Sequence, residues 1–138
     1  MVSMRRVLVI AVVLVGITAT ASSAATHRVT QSSLTGTWKG VLTGSYNGAT
    51  RKEPLTITIN AAQTAGTWKV SAACHGKLTL DSISGGSHHY LRHLASGSTC
   101  HGGDIDCLWR YGTTVYDNIT PRTNGWNRNG TLHRVITM

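Results

Sequence analysis

Histidines are the most conspicuous side chains in this sequence that could do chemistry. The 138-residue chain has seven, and His88, His89 and His93 lie within one short segment. Imidazole nitrogens bind zinc and other divalent metals. On a β-strand, however, His89 and His93 point to one face and His88 to the other, so the three cannot converge on one ion without another strand. We therefore predict a histidine-rich surface strand, with no metal site and no cofactor.

Carboxylates offer a second possible chemistry, because paired acids perform acid–base catalysis when both line one pocket. The chain has only five Asp and Glu, and of these Asp104 and Asp106 would share one face of a strand. Both lie near a turn, so we expect solvated acids rather than a catalytic pair. The sequence also has no Gly-x-Ser-x-Gly nucleophile elbow. These observations predict that the protein is not an enzyme.

Trp126 is the best candidate for contact with a ligand or partner. It lies in a polar stretch with Arg122 before it and Arg128 after it, where a large ring has little reason to be buried. Exposed aromatic rings carry much contact energy, and guanidinium groups pair with acidic or hydrogen-bonding groups. We predict that these three residues belong to an exposed recognition loop at residues 122–130.

The elements that must position these side chains are short β-strands. Gly numbers 15, Phe is absent and 41% of the residues are hydrophobic, which does not suit a helix bundle or a disordered chain. Turn signals such as Asn47-Gly48 and Gly85-Gly86 separate segments of alternating polarity. The predicted strands are Thr37 to Gly44, Leu55 to Asn60, Thr67 to Ala73, Lys77 to Ser84, His88 to Ala95, Ile105 to Arg110, Thr113 to Asn118 and Thr131 to Thr137. Eight consecutive strands predict an all-β fold, a small antiparallel up-and-down barrel, with a two-sheet β-sandwich as the alternative.

The alternation of apolar and polar residues also assigns the two faces of each strand. On the sixth predicted strand, Ile105, Cys107 and Trp109 share one face, and Asp106 lies on the other. We expect the apolar face to point into the core and the acid to face solvent. The same reasoning predicts three core tryptophans: Trp38, Trp68 and Trp109.

The N-terminal segment is typical of an export signal. Met1 to Arg6 carries two positive charges, Val7 to Ile17 is apolar, and Thr18 to Ala25 is small and polar. The apolar run is too short for a spanning helix. We predict a signal peptide at residues 1–24 and one secreted, extracellular domain at residues 25–138, a monomer that is free of the membrane after cleavage.

Three cysteines in an oxidising compartment allow one disulfide and one free thiol. A bond from Cys74 to Cys100 would close a long loop. If Gly103-Asp104 formed a two-residue hairpin turn, Cys100 would instead face Cys107 across the ladder. The spacing alone leaves both pairings open.

Positive charge exceeds negative charge along the whole chain. Thirteen Lys and Arg against five Asp and Glu give a formal net charge of +8. The cations are dispersed rather than clustered, so we do not predict a nucleic-acid partner. A small molecule, a glycan or a protein remain as partner classes.

The two ends of the predicted domain resemble lipocalin and avidin barrels. Gly36-Thr37-Trp38 matches the Gly-x-Trp of the first strand in that superfamily, and Arg134 lies in the last strand. There a basic residue packs across the tryptophan, so the resemblance implies that Trp38 and Arg134 close the barrel. Neither lipocalin nor avidin ligand-binding residues can be placed on this chain.

A second resemblance covers nearly all of the mature chain. Small secreted or extracytoplasmic β domains of actinobacteria, some of them appended to Ser/Thr kinases, share four motifs with it: Gly36 to Gly40, Cys74 to Leu80, Cys100 to Ile105 and Gly130 to Arg134. The resemblance implies that Cys74 pairs with Cys100 and that Cys107 is an addition. It also implies a secreted, non-enzymatic binding or sensing module. The alternative is a secreted inhibitor or protein-interaction module that acts through residues 122–130.

Overall fold

The computed structural model describes residues 32–100, 102–122 and 125–138, and within them the chain is all β. The predicted signal peptide, residues 1–24, lies outside this part. The described residues contain no helix long and apolar enough to cross a membrane. The strands are β1 (Gly36–Tyr46), β2 (Ala49–Ile59), β3 (Ala65–Ser71), β4 (Cys74–Ser84), β5 (Ser87–Leu94), β6 (Ile105–Tyr111), β7 (Thr114–Thr120) and β8 (Arg128–Arg134). The prediction of eight strands is confirmed.

The strands form a closed barrel in which each pairs antiparallel with its neighbours in sequence, and β8 pairs back onto β1. The sandwich alternative is therefore wrong. Tight hairpins make this meander possible. Asn47 and Gly48 join β1 to β2 with φ angles of 50° and 77°, the left-handed conformations that a primed two-residue turn needs to match strand twist.

The two ends of the barrel differ in how they are filled. At the end that we call the closed end, the segment before β1 inserts Leu34, which is 1% exposed. Its amide donates to the side chain of Gln63, and the Trp38 indole donates to its carbonyl, both at 2.7 Å. The opposite end, the mouth, carries the β5–β6 and β7–β8 loops. Between the two ends lies an apolar core that includes Leu42, Ile57, Trp68, Leu78, Leu108, Val115 and Leu132.

The orientation of β6 is the reverse of the prediction. Asp106 and Leu108 face the interior at 0% and 1% exposure, whereas Trp109 is 37% exposed on the outer face and Ile105 is only half-buried. The period-two pattern separates two faces, but it does not say which one is inside. Arg92, a buried arginine on β5, pairs with Asp106 in the interior. Trp109 lies on the other face of β6, so its predicted core position is wrong.

Candidate functional site

Charged side chains fill the mouth half of the barrel. The Arg92 guanidinium on β5 donates two hydrogen bonds to the Asp106 carboxylate, from Nε at 2.7 Å and Nη2 at 2.8 Å. It also lies 4.6 Å from the centroid of the Trp68 ring. Burial opposes the positive charge on Arg92, but the Asp106 carboxylate outweighs it and the pKa of Arg92 is raised. The pair is held as a bidentate ion pair away from water.

A second arginine extends this network. The two oxygens of Glu53 lie 3.4 Å from Nη1 of Arg92 and 3.0 Å from Nε of Arg128. Nη2 of Arg128 donates to Asp104 at 3.0 Å. The prediction that Asp104 and Asp106 are solvated is therefore wrong, since they are 4% and 0% exposed. Their arginine partners offset the cost of taking both carboxylates out of water.

Asp117 on β7 is buried in the same interior without an ion pair of its own. It is 1% exposed, and neither of its oxygens accepts a hydrogen bond from a donor among the described residues. Burial raises the pKa of Asp117 well above its ordinary value, and the Asp106 carboxylate raises it further. Burial therefore favours the protonated form of Asp117, and a hydrogen bond with Asp106 favours that form further. Both acids are inaccessible to a ligand, so we assign this pair to the packing of the core and not to a binding site.

The predicted recognition loop is only partly exposed. Arg122 is exposed and Trp126 is half-buried, while Arg128 is 5% exposed and lies inside the barrel. The Arg128 guanidinium lies 5.0 Å from the centroid of the Trp126 ring and donates to its carbonyl at 3.1 Å. A side chain on Gly44 would come within 2.7 Å of that ring, so Trp126 packs on the β1 backbone and covers the ion network. Residues 123 and 124 of this loop lie outside the described residues.

A recess of about 100 Å³ lies beneath this cover. Two tryptophans, two arginines, Glu53 and the disulfide line it. Liquid water occupies about 30 Å³ per molecule, so the recess has room for a few waters. Small-molecule sites typically measure about 300–1,000 Å³. This recess is therefore smaller than the sites that bind organic ligands.

The disulfide joins Cys74 to Cys100, which confirms the pairing implied by the resemblance. It ties the end of β3 and the start of β4 to the β5–β6 loop at the mouth. The alternative pairing of Cys100 with Cys107 is wrong, because the loop continues to residue 104 and Cys107 faces His89 and solvent. The Cys107 Sγ is 3.7 Å from Nε2 of His89. Burial raises the pKa of the Cys107 thiol, only partly opposed by a hydrogen bond with Ser87, which makes it a poor nucleophile.

Trp38 and Arg134 face each other at the β1–β8 seam. The Arg134 guanidinium lies 5.7 Å from the centroid of the Trp38 ring, and that of Arg110 on β6 lies 5.4 Å from it. Both distances fall within the range of cation–π attraction. Trp38 and Arg134 thus lie in contact at the seam, as the resemblance implied. Arg110 is a second cation on the same ring, which the sequence analysis did not predict.

The outer surface is far more basic than the composition indicates. Four of the five acidic side chains of the chain point inward, and Asp81 alone is exposed. Within the described residues, seven exposed cationic side chains stand against it: Lys39, Arg51, Lys52, Lys69, Lys77, Arg122 and Arg134.

Two of these lysines, Lys39 and Lys69, lie in a row of five residues, one on each of five neighbouring strands. In strand register, His133 pairs with Lys39, Lys39 with Thr56, Thr56 with Lys69, and Lys69 with His75. Of these five side chains, Lys39, Lys69 and His133 are exposed, and Thr56 and His75 are half-buried. With about 4.8 Å between strands, the row spans about 19 Å. A depression of about 400 Å³ lies between the two lysines. We call these five residues the basic row.

A second surface feature is a recess of about 640 Å³ at the closed end, between the β4–β5 and β6–β7 turns. Its wall includes Trp109 and Tyr111, which are 37% and 79% exposed. The Trp109 ring stacks on Tyr116 with 5.5 Å between centroids and 10° between planes. His88 also lines the recess, and its Nδ1 has no hydrogen-bond partner among the described residues. Burial lowers the pKa of His88, and the charge on His89 lowers it further.

Among the described residues, no three His, Cys, Asp or Glu side chains come together to hold a metal ion. His88 is buried while His93 is exposed and donates to, or accepts from, Thr79 at 2.7 Å. The strand thus separates its histidines as the alternation predicted, but the prediction of a surface position is wrong for His88.

The interior network was missed by sequence reasoning, although one signal for it exists. Asp117 alternates with Val115 and Ile119 on β7, and these two apolar neighbours place its side chain on the buried face. Arg92, between Tyr90 and Leu94, and Glu53, two positions before Leu55, have the same spacing, but their partners come from strands distant in sequence. No protein-family model, curated protein or solved structure matches the chain.

Proposed function

We propose that this chain is a secreted, non-enzymatic binding module that recognises an anionic glycan on the outside of its barrel. The observation that carries the proposal is the segregation of charge. All acids but Asp81 are enclosed in the barrel, whereas seven Lys and Arg of the described residues are exposed. A surface with one sign of charge attracts polymers of the opposite sign.

The filled interior favours binding on the outer surface. Apolar side chains occupy the core, and the ion network and Trp126 occupy the mouth. A ligand of ordinary size would have to displace buried ion pairs, and removing one partner from such a pair costs several kcal/mol. A polymer that lies across the strands displaces nothing.

The basic row supports a glycan over a nucleic acid. Sites for single-stranded nucleic acid interleave cations with large aromatic platforms, whereas the row contains no Trp, Tyr or Phe and places Thr56 between Lys39 and Lys69. A hydroxyl between two cations suits a polysaccharide that carries both hydroxyl and anionic groups. The disulfide and the predicted export signal support a site of action where such polymers occur.

Recognition through residues 122–130 has less support. Of its three predicted contact residues, Arg128 is committed to Glu53 and Asp104, and Trp126 covers that network. Arg122 is exposed and keeps its predicted role as a possible contact.

The test is a binding titration of the mature protein, residues 25–138, with polygalacturonate, alginate and poly(glycerol phosphate). We expect at least one to bind, and Lys39→Gln/Lys69→Gln to weaken that binding about tenfold, equivalent to 1.4 kcal/mol. Each surface ion pair contributes up to about 1 kcal/mol, so two account for this loss. Raising the salt concentration should weaken binding as well.

The matched control is Arg51→Gln/Lys52→Gln, which removes the same charge from exposed positions outside the basic row. It should retain most of the affinity. If both double variants lost the same affinity, binding would depend on net charge and not on the basic row, and the proposal would be wrong. Equal affinity for double-stranded DNA, or no binding to any of the three polymers, would also overturn the proposal.

A further inference from the structure

We infer that the recess at the closed end is a separate saccharide site, in which a neutral sugar ring stacks on Trp109 and Tyr111 and hydrogen-bonds to groups around His88. This site lies at the β6–β7 end of the barrel and needs no charge on the ligand. Its test is therefore independent of the basic row, although the two sites could serve one glycan under the proposed function.

The aromatic wall of the recess is already organised for stacking. Trp109 pairs with Tyr116 across β6 and β7, and the two rings lie nearly parallel, so one face of the indole is supported. Tyr111, the next outward residue on β6, lies about 7 Å further along the strand. A pyranose ring presents C–H groups on its faces, which suit the faces of aromatic rings. Supported rings lose little conformational entropy on binding.

The remaining lining supplies hydrogen-bonding groups for hydroxyls. His88 lines the recess but is 4% exposed with its Nδ1 buried, so the accessible polar groups come from its neighbours. Arg110 uses two N–H groups on the carbonyls of Gly112 and Ser33, at 2.8 and 2.6 Å, and has further N–H groups. Ser87 adds a hydroxyl.

The size of the recess favours a short sugar chain. None of the residues that line it is acidic, and Arg110 uses two of its N–H groups on backbone carbonyls, which leaves its other N–H groups for sugar hydroxyls. The volume of about 640 Å³ lies within the range of sites that enclose small organic ligands. It exceeds what an ion or a few waters would fill. A short oligosaccharide matches this volume and the alternation of flat rings with polar groups.

The test is a fluorescence and calorimetric titration of the mature protein with cellohexaose, chitohexaose and maltohexaose. We expect one of them to change the tryptophan emission on binding. Tyr111→Ala should weaken its affinity about tenfold, and Tyr111→Phe should retain it, because the ring and not the hydroxyl makes the contact. Tyr111 is 79% exposed, so neither variant should alter the melting temperature.

The matched control is Tyr46→Ala, which removes a tyrosine that is 41% exposed at the end of β1. It should bind like the parent protein. Lys39→Gln/Lys69→Gln should also bind the neutral sugar normally, which separates this site from the proposed function. Three results would overturn the inference. The first is that no hexasaccharide binds, and the second is that Tyr111→Ala and Tyr46→Ala lose the same affinity. The third is that Tyr111→Ala changes only the self-association of the protein, measured by sedimentation, and not its affinity for the sugar.

Discussion

A buried aspartate with a raised pKa links the stability of this protein to pH at the scale of a single residue. Asp117 lies between apolar neighbours and beside Asp106, whose charge is already taken by Arg92. Two ionised carboxylates in this position would repel each other in a medium of low dielectric constant. One proton between them removes the repulsion, so the core is stable while that proton stays in place.

We expect the free energy of unfolding to fall as the pH rises, through Asp117. The pKa of Asp117 is raised in the folded state, whereas an unfolded aspartate has a pKa of about 3.9. The folded state therefore binds the proton more tightly. Its contribution to stability is full below the unfolded pKa, declines as pH rises towards the folded pKa and is lost above it.

Asp117→Asn tests this linkage, because an amide can still donate to Asp106 but cannot ionise. Urea unfolding from pH 4 to pH 9 should show the parent protein losing stability relative to the variant as the pH rises. Asn118→Ala, a neighbouring exposed position, should keep the pH dependence of the parent. Parallel curves for the parent and Asp117→Asn would contradict a raised pKa at this site.

At the scale of elements, the sequence predicts the strands well and their orientation unevenly. Local signals define turns: Asn47-Gly48 and Gly85-Gly86 connect strands where expected. Orientation depends on what the opposite wall offers. Ile105, Cys107 and Trp109 look like a core face, but Arg92 from β5 draws Asp106 inward and turns that face out.

The same contrast between local signals and distant partners explains which parts of the candidate sites could be predicted. The pairing of Cys74 with Cys100 and the seam between Trp38 and Arg134 followed from motifs. The basic row depends on strand register, and the ion network depends on partners brought together by barrel closure. Neither the register nor the partner can be read from local spacing.

The β1–β8 seam should depend on Trp38 far more than on Arg134. Trp38 is 1% exposed, so Trp38→Ala should cost about 3–5 kcal/mol of unfolding free energy, as large-to-small core substitutions do. Arg134→Ala should cost less, because Arg134 is exposed and Arg110 also lies against the indole. Cation–π contacts at exposed sites contribute about 0.5–1 kcal/mol.

A double-mutant cycle in urea measures whether the two residues act together. The loss in Trp38→Ala/Arg134→Ala should be smaller than the sum of the two single losses, since removing the ring also removes what Arg134 contacts. Lys39→Ala, the outward neighbour on β1, should be additive with Arg134→Ala. Strict additivity of Trp38 with Arg134 would mean that the seam does not depend on their contact.

At the scale of the whole molecule, the barrel separates its charges by enclosing acids and exposing cations. This arrangement requires that bulk water is kept away from the ion pairs of Arg92 and Arg128, because water would weaken these pairs. The β5–β6 loop and the start of β4 lie beside these pairs, and the disulfide joins the two. The covalent bond and the ion network therefore stabilise the same end of the molecule.

The disulfide should account for much of the stability at the mouth. Cys74 and Cys100 are 26 positions apart, and closing a loop of this length stabilises a protein by about 3.5 kcal/mol in the chain-entropy treatment. Cys74→Ser/Cys100→Ser should lose about that amount in urea unfolding, and hydrogen exchange should quicken at β4 and the β5–β6 loop more than at the closed end. Cys107→Ser, which alters a free and half-buried thiol, should change the unfolding free energy by less than about 1 kcal/mol. A uniform rise in exchange across all eight strands would show that the bond stabilises the barrel as a whole and not its mouth.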